Sequence, residues 1–523
     1  MIHTELIEPV GALLRRHATE RPTKVAFEDA RQAMTYAELE RSTANLASHL
    51  QDHGAEPGDK VALLLPNCVA WVASCLATVR AGCVSVPISH DATEAEIRYR
   101  LEDAGCKAIV CSAQHVELVQ KLQRELPGLK TIYAASADVP TAGVLALVPQ
   151  LASPGEAEPR DSGDLDATAF IVYTSGTTGR AKGVMLTQRS MLWVVAACWA
   201  PIANLSDKDV VLSPLPLFHS YALNLCVLGV IAVGATEYIL ERYSTQEVVA
   251  QLKTGRYTLM PAVPTMFHYL LEACRGKEHF EAAGIRRFIS AGAIMPSSLN
   301  REFEAYFGVE LLDGYGITET STMVTMNWPG TARPLGSCGL PVPGLAVRLV
   351  SLDGKDVPIG EEGELIVRGP NLMQGYLNKP AETAAALVDG WYRTGDLARS
   401  DPNGFLTITG RLKELIIRGG QNIAPGEVEE AVLSFPDVLD CAALGMPHKH
   451  LGEVPVICVV ARDGRQIDPD SIKQHCAVLL SSYKVPQSVH VVSAIPRTGS
   501  GKVMRFKLKE QLAADVQLLV EKQ

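Results

Sequence analysis

Directly after the apolar run Ala169-Phe170-Ile171-Val172, the chain reads Tyr173-Thr174-Ser175-Gly176-Thr177-Thr178-Gly179-Arg180-Ala181-Lys182-Gly183. Glycine lets backbone N–H groups approach an anion closely, Ser and Thr hydroxyls add small donors, and lysine adds a positive charge. The loop is not a Walker A motif, because Ala181 and not glycine precedes Lys182, and it contains no G-x-G-x-x-G pattern. The stretch predicts a strand that ends in a phosphate-binding loop. A flexible Ser/Thr/Gly surface loop is the alternative.

The loop resembles the phosphate loop of the adenylate-forming superfamily, which contains acyl-CoA synthetases, carrier-protein adenylation domains and beetle luciferases. The resemblance implies that the loop holds the β- and γ-phosphates of ATP and that Thr174 lies close to a bound Mg²⁺ ion. The residues it assigns to the nucleotide here are Thr174, Ser175, Gly176, Thr177, Thr178, Gly179 and Lys182.

Three later motifs extend the resemblance along the chain. Ser290-Ala291-Gly292-Ala293-Ile294-Met295-Pro296 is similar to the loop that lies along the adenine edge in the family, with Gly292 and Ala293 at the nucleotide. Asp313-Gly314-Tyr315-Gly316-Ile317-Thr318-Glu319-Thr320 matches the signature that holds the nucleotide. In chemical terms Tyr315 offers a flat face for adenine, Thr318 a hydroxyl for the α-phosphate, and Glu319 a carboxylate for Mg²⁺. Trp391-Tyr392-Arg393-Thr394-Gly395-Asp396 presents an acid that is able to accept from both ribose hydroxyls.

The remaining motifs concern the acid substrate and the C-terminal part of the chain. Phe218-His219 matches the aromatic-His pair that lines the acyl site, although a lone His beside an aromatic ring is also common in a protein core. In Gly410-Arg411-Leu412-Lys413, the resemblance places Arg411 at the ribose and Lys413 at a hinge. It places Gly419 and Gly420 along a pantetheine tunnel and makes Lys502, in a glycine-rich loop, catalytic. The catalytic roles implied by resemblance fall on Lys502, His219, Thr318 and Glu319, the last also a metal ligand.

Helical and strand patterns alternate through the first 110 residues, which predicts a parallel α/β sheet. A chain of 523 residues is too long for one core. We expect an α/β protein with a large N-terminal domain of several subdomains, residues 1–412. A small, mobile α+β domain, residues 413–523, is expected to follow it and to turn about Lys413 during catalysis. Residues 136–167 are rich in Pro, Ala, Gly, Ser and Asp and are interpreted as a surface connection.

Composition excludes several classes of partner. The formal net charge is −10 and no Lys/Arg block is present, so nucleic acid is not expected as a partner. The apolar run 61–79 is broken by Pro66-Asn67, and 191–205 and 223–235 are predicted to be buried helices, so no integral membrane segment is expected. Twelve scattered cysteines suit reduced thiols in the cytoplasm. The chain is expected to act as a monomer or homodimer.

The resemblance implies a ligase that uses ATP, Mg²⁺ and coenzyme A. A carboxylic acid and ATP form acyl-AMP and pyrophosphate, and a thiol then displaces AMP. The acceptor is expected to be CoA. A carrier-protein pantetheine is the alternative, and a luciferase-like oxygenase or a degenerate nucleotide-binding regulator are weaker ones.

The acid itself is predicted from the residues expected to surround it, which include no Arg or Lys. They are Phe218, His219, Tyr221, Leu223, Val263, Ala293, Ile294, Met323 and Val324. A second carboxylate or an α-amino group would remain unpaired there. We therefore expect a monocarboxylate with an apolar body. A medium- or long-chain fatty acid is favoured over an aryl acid because of the aliphatic residues in this set.

Overall fold

Two large sheets form the centre of the N-terminal part of the protein. The computed structural model describes residues 1–136, 141–174, 180–275, 281–351, 353–497 and 503–520, with side chains to residue 512. Within these residues, nine strands form the first sheet, in the spatial order Leu340–Pro341, Thr322–Met326, Leu311–Ile317, Arg287–Ser290, Leu259–Ala262, Val210–Ser213, Thr236–Ile239, Val25–Glu28 and Ala33–Thr35. The six strands from Leu311–Ile317 to Val25–Glu28 are parallel to one another, so their carboxyl ends share one edge, where ligands bind in such sheets.

The second sheet carries the predicted phosphate loop. Its eight strands within the described residues follow the order Gly375–Tyr376, Lys182–Thr187, Thr168–Thr174, Val84–Pro87, Lys60–Leu64, Cys106–Ser112, Thr131–Ala135 and Leu145–Ala146. The pairs from Thr168–Thr174 to Leu145–Ala146 are parallel. The predicted α/β class and the predicted parallel sheet are therefore confirmed.

Helices cover the faces of both sheets, and many begin where the sequence supplies a cap. Thr35 and Thr93 each form a capping box with a glutamate three residues later, which satisfies the first backbone N–H groups. The α-helices are Val10–Glu20, Tyr36–Asp52, Val69–Arg80, Glu94–Ala104, Val116–Glu125, Leu147–Ala152, Gln188–Val194, Ser220–Ala222, Val230–Val233, Thr245–Leu252, Pro264–Cys274, Ser297–Phe307, Pro380–Ala386, Pro425–Leu433, Pro469–Leu479 and Arg505–Val520.

The two most apolar stretches of the sequence form buried helices, as predicted. Each includes a π-helical segment, Val195–Trp199 and Leu223–Gly229, and every residue of both segments is buried. The Trp199 indole donates to the Asn224 amide oxygen at 2.6 Å, and the Asn224 amide donates to the Met191 carbonyl at 2.8 Å. These hydrogen bonds satisfy the polar groups of both side chains inside the core.

Two smaller sheets follow. Strands Ala346–Val350, Gly363–Arg368, Trp391–Ser400, Leu387–Val388 and Leu406–Arg411 form the first of these, within the range predicted for the large domain. The second contains Gln421–Ile423, Ile416–Arg418, Gly452–Ala461, Val438–His448 and Ser488–Val491, and it has its own apolar core. A small C-terminal sheet domain is therefore present. The boundary after residue 412 and the mobility of this domain stay predictions.

The remaining predictions from the sequence concern single segments and the cysteines. The run 61–79 forms strand Lys60–Leu64, a turn and helix Val69–Arg80, as predicted. The connection 136–167 is more ordered than predicted, because Leu145–Ala146 extends the second sheet and Leu147–Ala152 is a short helix. None of the helices in the described ranges combines enough length with enough apolar residues to cross a lipid bilayer. The twelve cysteines are free thiols, and all except the half-buried Cys68 are buried.

Candidate active site

The base of the predicted phosphate loop is a pair of antiparallel strands. Thr174, the last residue of one strand, pairs with Lys182, the first residue of the next. Ser175, Gly176, Thr177, Thr178 and Gly179 lie outside the described residues, so their predicted contacts with phosphate stay predictions. The Lys182 ammonium lies 4.7 Å from the ring centroid of Tyr376, which pairs with Val184 on the same strand as Lys182.

Tyr376 also contacts the predicted metal ligand. Its hydroxyl donates to Glu319 Oε1 at 3.0 Å and lies 3.3 Å from the Tyr392 hydroxyl. Burial, together with the nearby Glu319 charge, raises the pKa of Tyr376, so its hydroxyl keeps the proton that it donates. The structure therefore joins Lys182, Tyr376 and Glu319, which are far apart in sequence, in one group.

The predicted ribose-binding acid lies in a second group. Asp396 is buried, its Oδ2 accepts from the Tyr315 hydroxyl at 2.5 Å, and its Oδ1 lies 2.6 Å from Arg411 Nε. The carboxylate raises the pKa of the Arg411 guanidinium, which stays charged. Tyr315, Asp396 and Arg411 are thus brought together as predicted. Each carboxylate oxygen keeps a further lone pair for a ribose hydroxyl.

The residues predicted for the α-phosphate and the acyl group adjoin each other. The Ser220 and Thr318 hydroxyls lie 3.1 Å apart, which fixes Thr318 beside the segment that carries His219. The rings of Phe218 and His219 are 4.2 Å apart. The Tyr221 hydroxyl donates to the carbonyl of Ile289 at 3.1 Å, immediately before the adenine-edge loop.

Glycine is required in the nucleotide signature because the backbone folds back on itself. A Cβ atom on Gly316 would lie 1.3 Å from the Thr322 carbonyl oxygen, and one on Gly314 would lie 2.3 Å from Met323 Cε. Gly292 adopts φ +90°, a left-handed conformation that favours glycine, and Ala293 follows it in the same loop. The close contacts at positions 314 and 316 and the backbone conformation at position 292 explain why these three residues are glycines.

The predicted link to the small domain is Lys413. Lys413 is exposed in a 3₁₀ turn, Leu412–Glu414, and the next residue, Glu414, pairs with Arg505 at 3.0 Å. Because Arg505 also pairs with Glu429, Glu414 belongs to the small domain. Gly419 and Gly420 form the exposed turn of the hairpin that follows. Lys502 lies outside the described residues, and its catalytic role stays a prediction.

Comparison with known proteins agrees with this geometry. Residues 14–377 match the family model described as AMP-binding enzyme, and residues 427–502 match the model of the AMP-binding enzyme C-terminal domain. The chain belongs to the family of AMP-binding enzymes. This AMP-binding enzyme is 34% identical to a feruloyl-CoA synthase from Amycolatopsis over 96% of its own length and 99% of the relative's. It is 33% identical to a long-chain-fatty-acid–CoA ligase from Yersinia pestis, over 97% and 94% of the two chains.

A solved structure supports the same assignment. The anthranilate CoA ligase in complex with anthranoyl-AMP superposes with a TM-score of 0.90 at 25% identity, and it covers 97% of this chain and 98% of that one. The AMP-binding enzyme is therefore an acid–thiol ligase, an AMP-forming acyl- or aryl-CoA synthetase that uses ATP and CoA. The predicted enzyme class is confirmed.

The side chains of Glu319 and Thr174 in this AMP-binding enzyme are chemically suited to hold a magnesium ion. Among the described residues, no group of three or more His, Cys, Asp or Glu side chains is arranged to hold a metal. Mg²⁺ commonly takes one or two protein oxygens and completes its shell with phosphates and water. Glu319 fits this role, because Tyr376 binds only its Oε1. The Thr174 hydroxyl at the start of the phosphate loop is the second predicted protein ligand.

Sequence reasoning missed Tyr376, Ser220 and Asp313. Asp313 is buried beside Ser290, and burial raises its pKa to about 8, so it is largely neutral at pH 7. The signal for Asp313 was its position within the nucleotide signature, directly before Gly314. Tyr376 lies in a strand of two residues, Gly375–Tyr376, which is too short to show a periodic pattern.

Proposed function

We propose that this enzyme activates a compact, apolar monocarboxylic acid of the aryl type and transfers its acyl group to CoA. The observation that carries the proposal is the burial of the aliphatic residues that were expected to line an acyl channel. Leu223 and Val324, two of the aliphatic residues on which the expected preference for a fatty acid depended, are 0% exposed and belong to the core. Met323, from the same predicted set, is 1% exposed. Ile294, from the same set, is 48% exposed at the surface. These positions favour a short pocket over a long acyl channel.

The walls of this pocket suit a ring. Tyr221 packs against Trp199 with ring centroids 6.0 Å apart, and Phe218 and His219 supply two further rings. A second substrate carboxylate would find no Arg or Lys in the predicted set to pair with. An unpaired buried charge costs several kcal/mol, which disfavours diacids. The feruloyl-CoA synthase relative and the anthranilate ligase structure are consistent with an aryl acid.

The first half-reaction forms the acyl adenylate. One oxygen of the substrate carboxylate attacks the α-phosphorus of ATP, the bond to the bridging oxygen breaks, and pyrophosphate leaves. Such a displacement depends mainly on positioning and electrostatic stabilisation. Lys182 at the phosphate loop, Thr318 at the α-phosphate and Lys502 at the reacting carboxylate would hold the reactants in line. Mg²⁺, bound through Glu319 and Thr174, would neutralise phosphate charge.

The second half-reaction transfers the acyl group. The CoA sulfur attacks the acyl carbon, the bond from that carbon to the adenylate oxygen breaks, and AMP leaves. The exposed hairpin at Gly419 and Gly420 would replace Lys502 at the site when the small domain turns about Lys413. Tyr315, Asp396 and Arg411 would keep the adenosine in place through both steps.

Substrate preference tests this proposal. Pyrophosphate release is measured with benzoate, 4-coumarate, octanoate, palmitate, acetate, malonate and alanine, each with ATP, Mg²⁺ and CoA. We expect an aryl acid to exceed octanoate and palmitate by about tenfold or more in kcat/KM, a difference of about 1.4 kcal/mol in transition-state binding. Palmitate as the best substrate would restore the fatty-acid preference, and malonate or alanine would contradict the apolar pocket.

A further inference from the structure

One segment of the large domain ties the phosphate-loop strand to the metal-ligand turn. The Gln374 and Leu377 N–H groups donate to the carbonyls of Met185 and Gly183, on the strand that begins at Lys182. The Met373 N–H donates to the carbonyl of Glu319 at 2.9 Å. The buried amide of Asn371 donates to the carbonyls of Thr320 and Met323, both at 3.0 Å. Residues 371–377, here called the bridging segment, therefore fix the two halves of the phosphate site relative to each other.

The Tyr376 side chain, at the end of this segment, contacts both charged groups. The face of its ring receives the Lys182 ammonium at 4.7 Å, and its hydroxyl donates to Glu319 Oε1 at 3.0 Å. Since the Tyr376 hydroxyl donates to Glu319, the Tyr392 hydroxyl at 3.3 Å is the donor in the contact between the two tyrosines. Tyr376 is 8% exposed and Tyr392 is 4% exposed, so packing holds both rings in place.

Lys182 and Glu319 carry opposite charges at a site that both would use for ATP. A direct ion pair between them would occupy the ammonium meant for phosphate and the carboxylate meant for metal. No such pair is present among the residues that the structure describes, since Lys182 lies on one part of Tyr376 and Glu319 on another. The contact with a ring face holds the ammonium by attraction to the π-electrons and does not require a carboxylate partner.

We propose that Tyr376 is a positioning residue that keeps the Glu319 carboxylate and the Lys182 ammonium apart and oriented, so that both remain available to the nucleotide. The inference rests on the proposed roles of Glu319 toward Mg²⁺ and of Lys182 toward the phosphates. The hydroxyl and the ring have separate tasks. The hydroxyl orients Glu319 by holding Oε1, and the ring separates the two charges.

Binding measurements with two substitutions separate these tasks. Tyr376→Phe keeps the ring and removes the hydroxyl. The Mn²⁺ concentration that half-saturates the complex of enzyme and ATP, measured by electron paramagnetic resonance, is expected to rise about tenfold. ATP affinity in EDTA should stay within about twofold, because the ring still holds Lys182. Tyr376→Leu removes the ring, and ATP affinity in EDTA, measured by calorimetry, is expected to fall about tenfold as Lys182 pairs with Glu319. Tyr133→Phe, a buried tyrosine whose hydroxyl bonds to the His49 carbonyl, is the matched control and should change neither quantity.

A double variant tests the separation of charges directly. Adding Glu319→Gln to Tyr376→Leu removes the competing carboxylate, so ATP affinity in EDTA should return to within about threefold of wild type. The proposal would be overturned if Tyr376→Phe and Tyr376→Leu lowered ATP affinity in EDTA equally. It would also be overturned if the double variant did not recover this affinity. The measurements in EDTA test whether Tyr376 separates the two charges, and they do not depend on how Mg²⁺ binds. If Mg²⁺ does not change ATP binding to the wild-type enzyme, that result contradicts the proposed role of Glu319 and not the role of Tyr376. Thermal unfolding of each variant confirms that it is folded.

Discussion

Replacement of Lys502 by alanine is expected to lower the rate of acyl-AMP formation by about a thousandfold, while thioester formation from supplied acyl-AMP stays within about threefold of wild type. A lysine that contacts the carboxylate and the α-phosphate stabilises negative charge only while that charge is redistributed in the first step. The second step displaces AMP with a thiol and places a different face of the small domain at the site. The two rates are measured by ATP–pyrophosphate exchange and by acyl-CoA production from acyl-AMP.

A nearby lysine provides the control for this substitution. Lys507 lies five residues further along the chain and is exposed on helix Arg505–Val520, so Lys507→Ala removes one positive charge without touching the predicted site. It should leave both rates near wild type. If Lys502→Ala slows both half-reactions equally, the lysine is not specific to adenylation and the role assigned by resemblance is wrong.

Replacement of Lys413 by proline is expected to impair thioester formation and to spare acyl-AMP formation, the reverse of the effect expected for Lys502→Ala. Proline fixes φ near −65° and lacks an N–H, so a hinge residue loses the rotation it needs. With the small domain locked in the adenylating orientation, pyrophosphate exchange should stay within about fivefold, whereas CoA thioester formation should fall about a hundredfold. Lys413→Ala removes the same side chain while leaving φ free, and it should retain both activities.

The contacts between the domains are compatible with this swing. Arg462 pairs with Glu272 at 2.7 Å, and the Ser297 hydroxyl donates to Glu430. Polar contacts of this kind re-form more readily in a new orientation than an apolar interface does. Equal loss of the two activities in Lys413→Pro would mean that the chain turns elsewhere, and loss of both in Lys413→Ala would point to a role for the side chain itself.

Local sequence patterns predicted the strands and helices around the candidate site. Such patterns are visible in the sequence because they depend on residues that are close together in the chain. The alternation around Lys60–Leu64 and Val69–Arg80, and the loop between Thr174 and Lys182, could be placed without a structure. The family resemblance assigned Tyr315 to adenine and Asp396 and Arg411 to the ribose, and the structure places the three side chains in contact. Such contacts are predictable when each residue belongs to a recognisable motif.

Two features could not be obtained from the sequence, for different reasons. Leu223 and Val324 are apolar, and the same residue type serves a core or a substrate channel, so only their complete burial distinguishes the two. Tyr376 meets Glu319 through tertiary packing between residues 57 positions apart, and its two-residue strand carries no periodic signal. Both features bear on specificity and metal use, where the geometry of contacts matters more than residue type.

The fate of the carboxylate oxygens shows whether the thioester forms through an acyl adenylate. The enzyme is supplied with its preferred acid labelled with ¹⁸O in both carboxylate positions, together with ATP, Mg²⁺ and CoA, and the products are separated by mass. Attack of the carboxylate on the α-phosphorus, followed by thiol attack on the acyl carbon, leaves one ¹⁸O atom in AMP and one in the acyl-CoA carbonyl. Singly labelled AMP and unlabelled pyrophosphate are therefore expected. Unlabelled AMP, or label in pyrophosphate or phosphate, would rule out an acyl-adenylate intermediate.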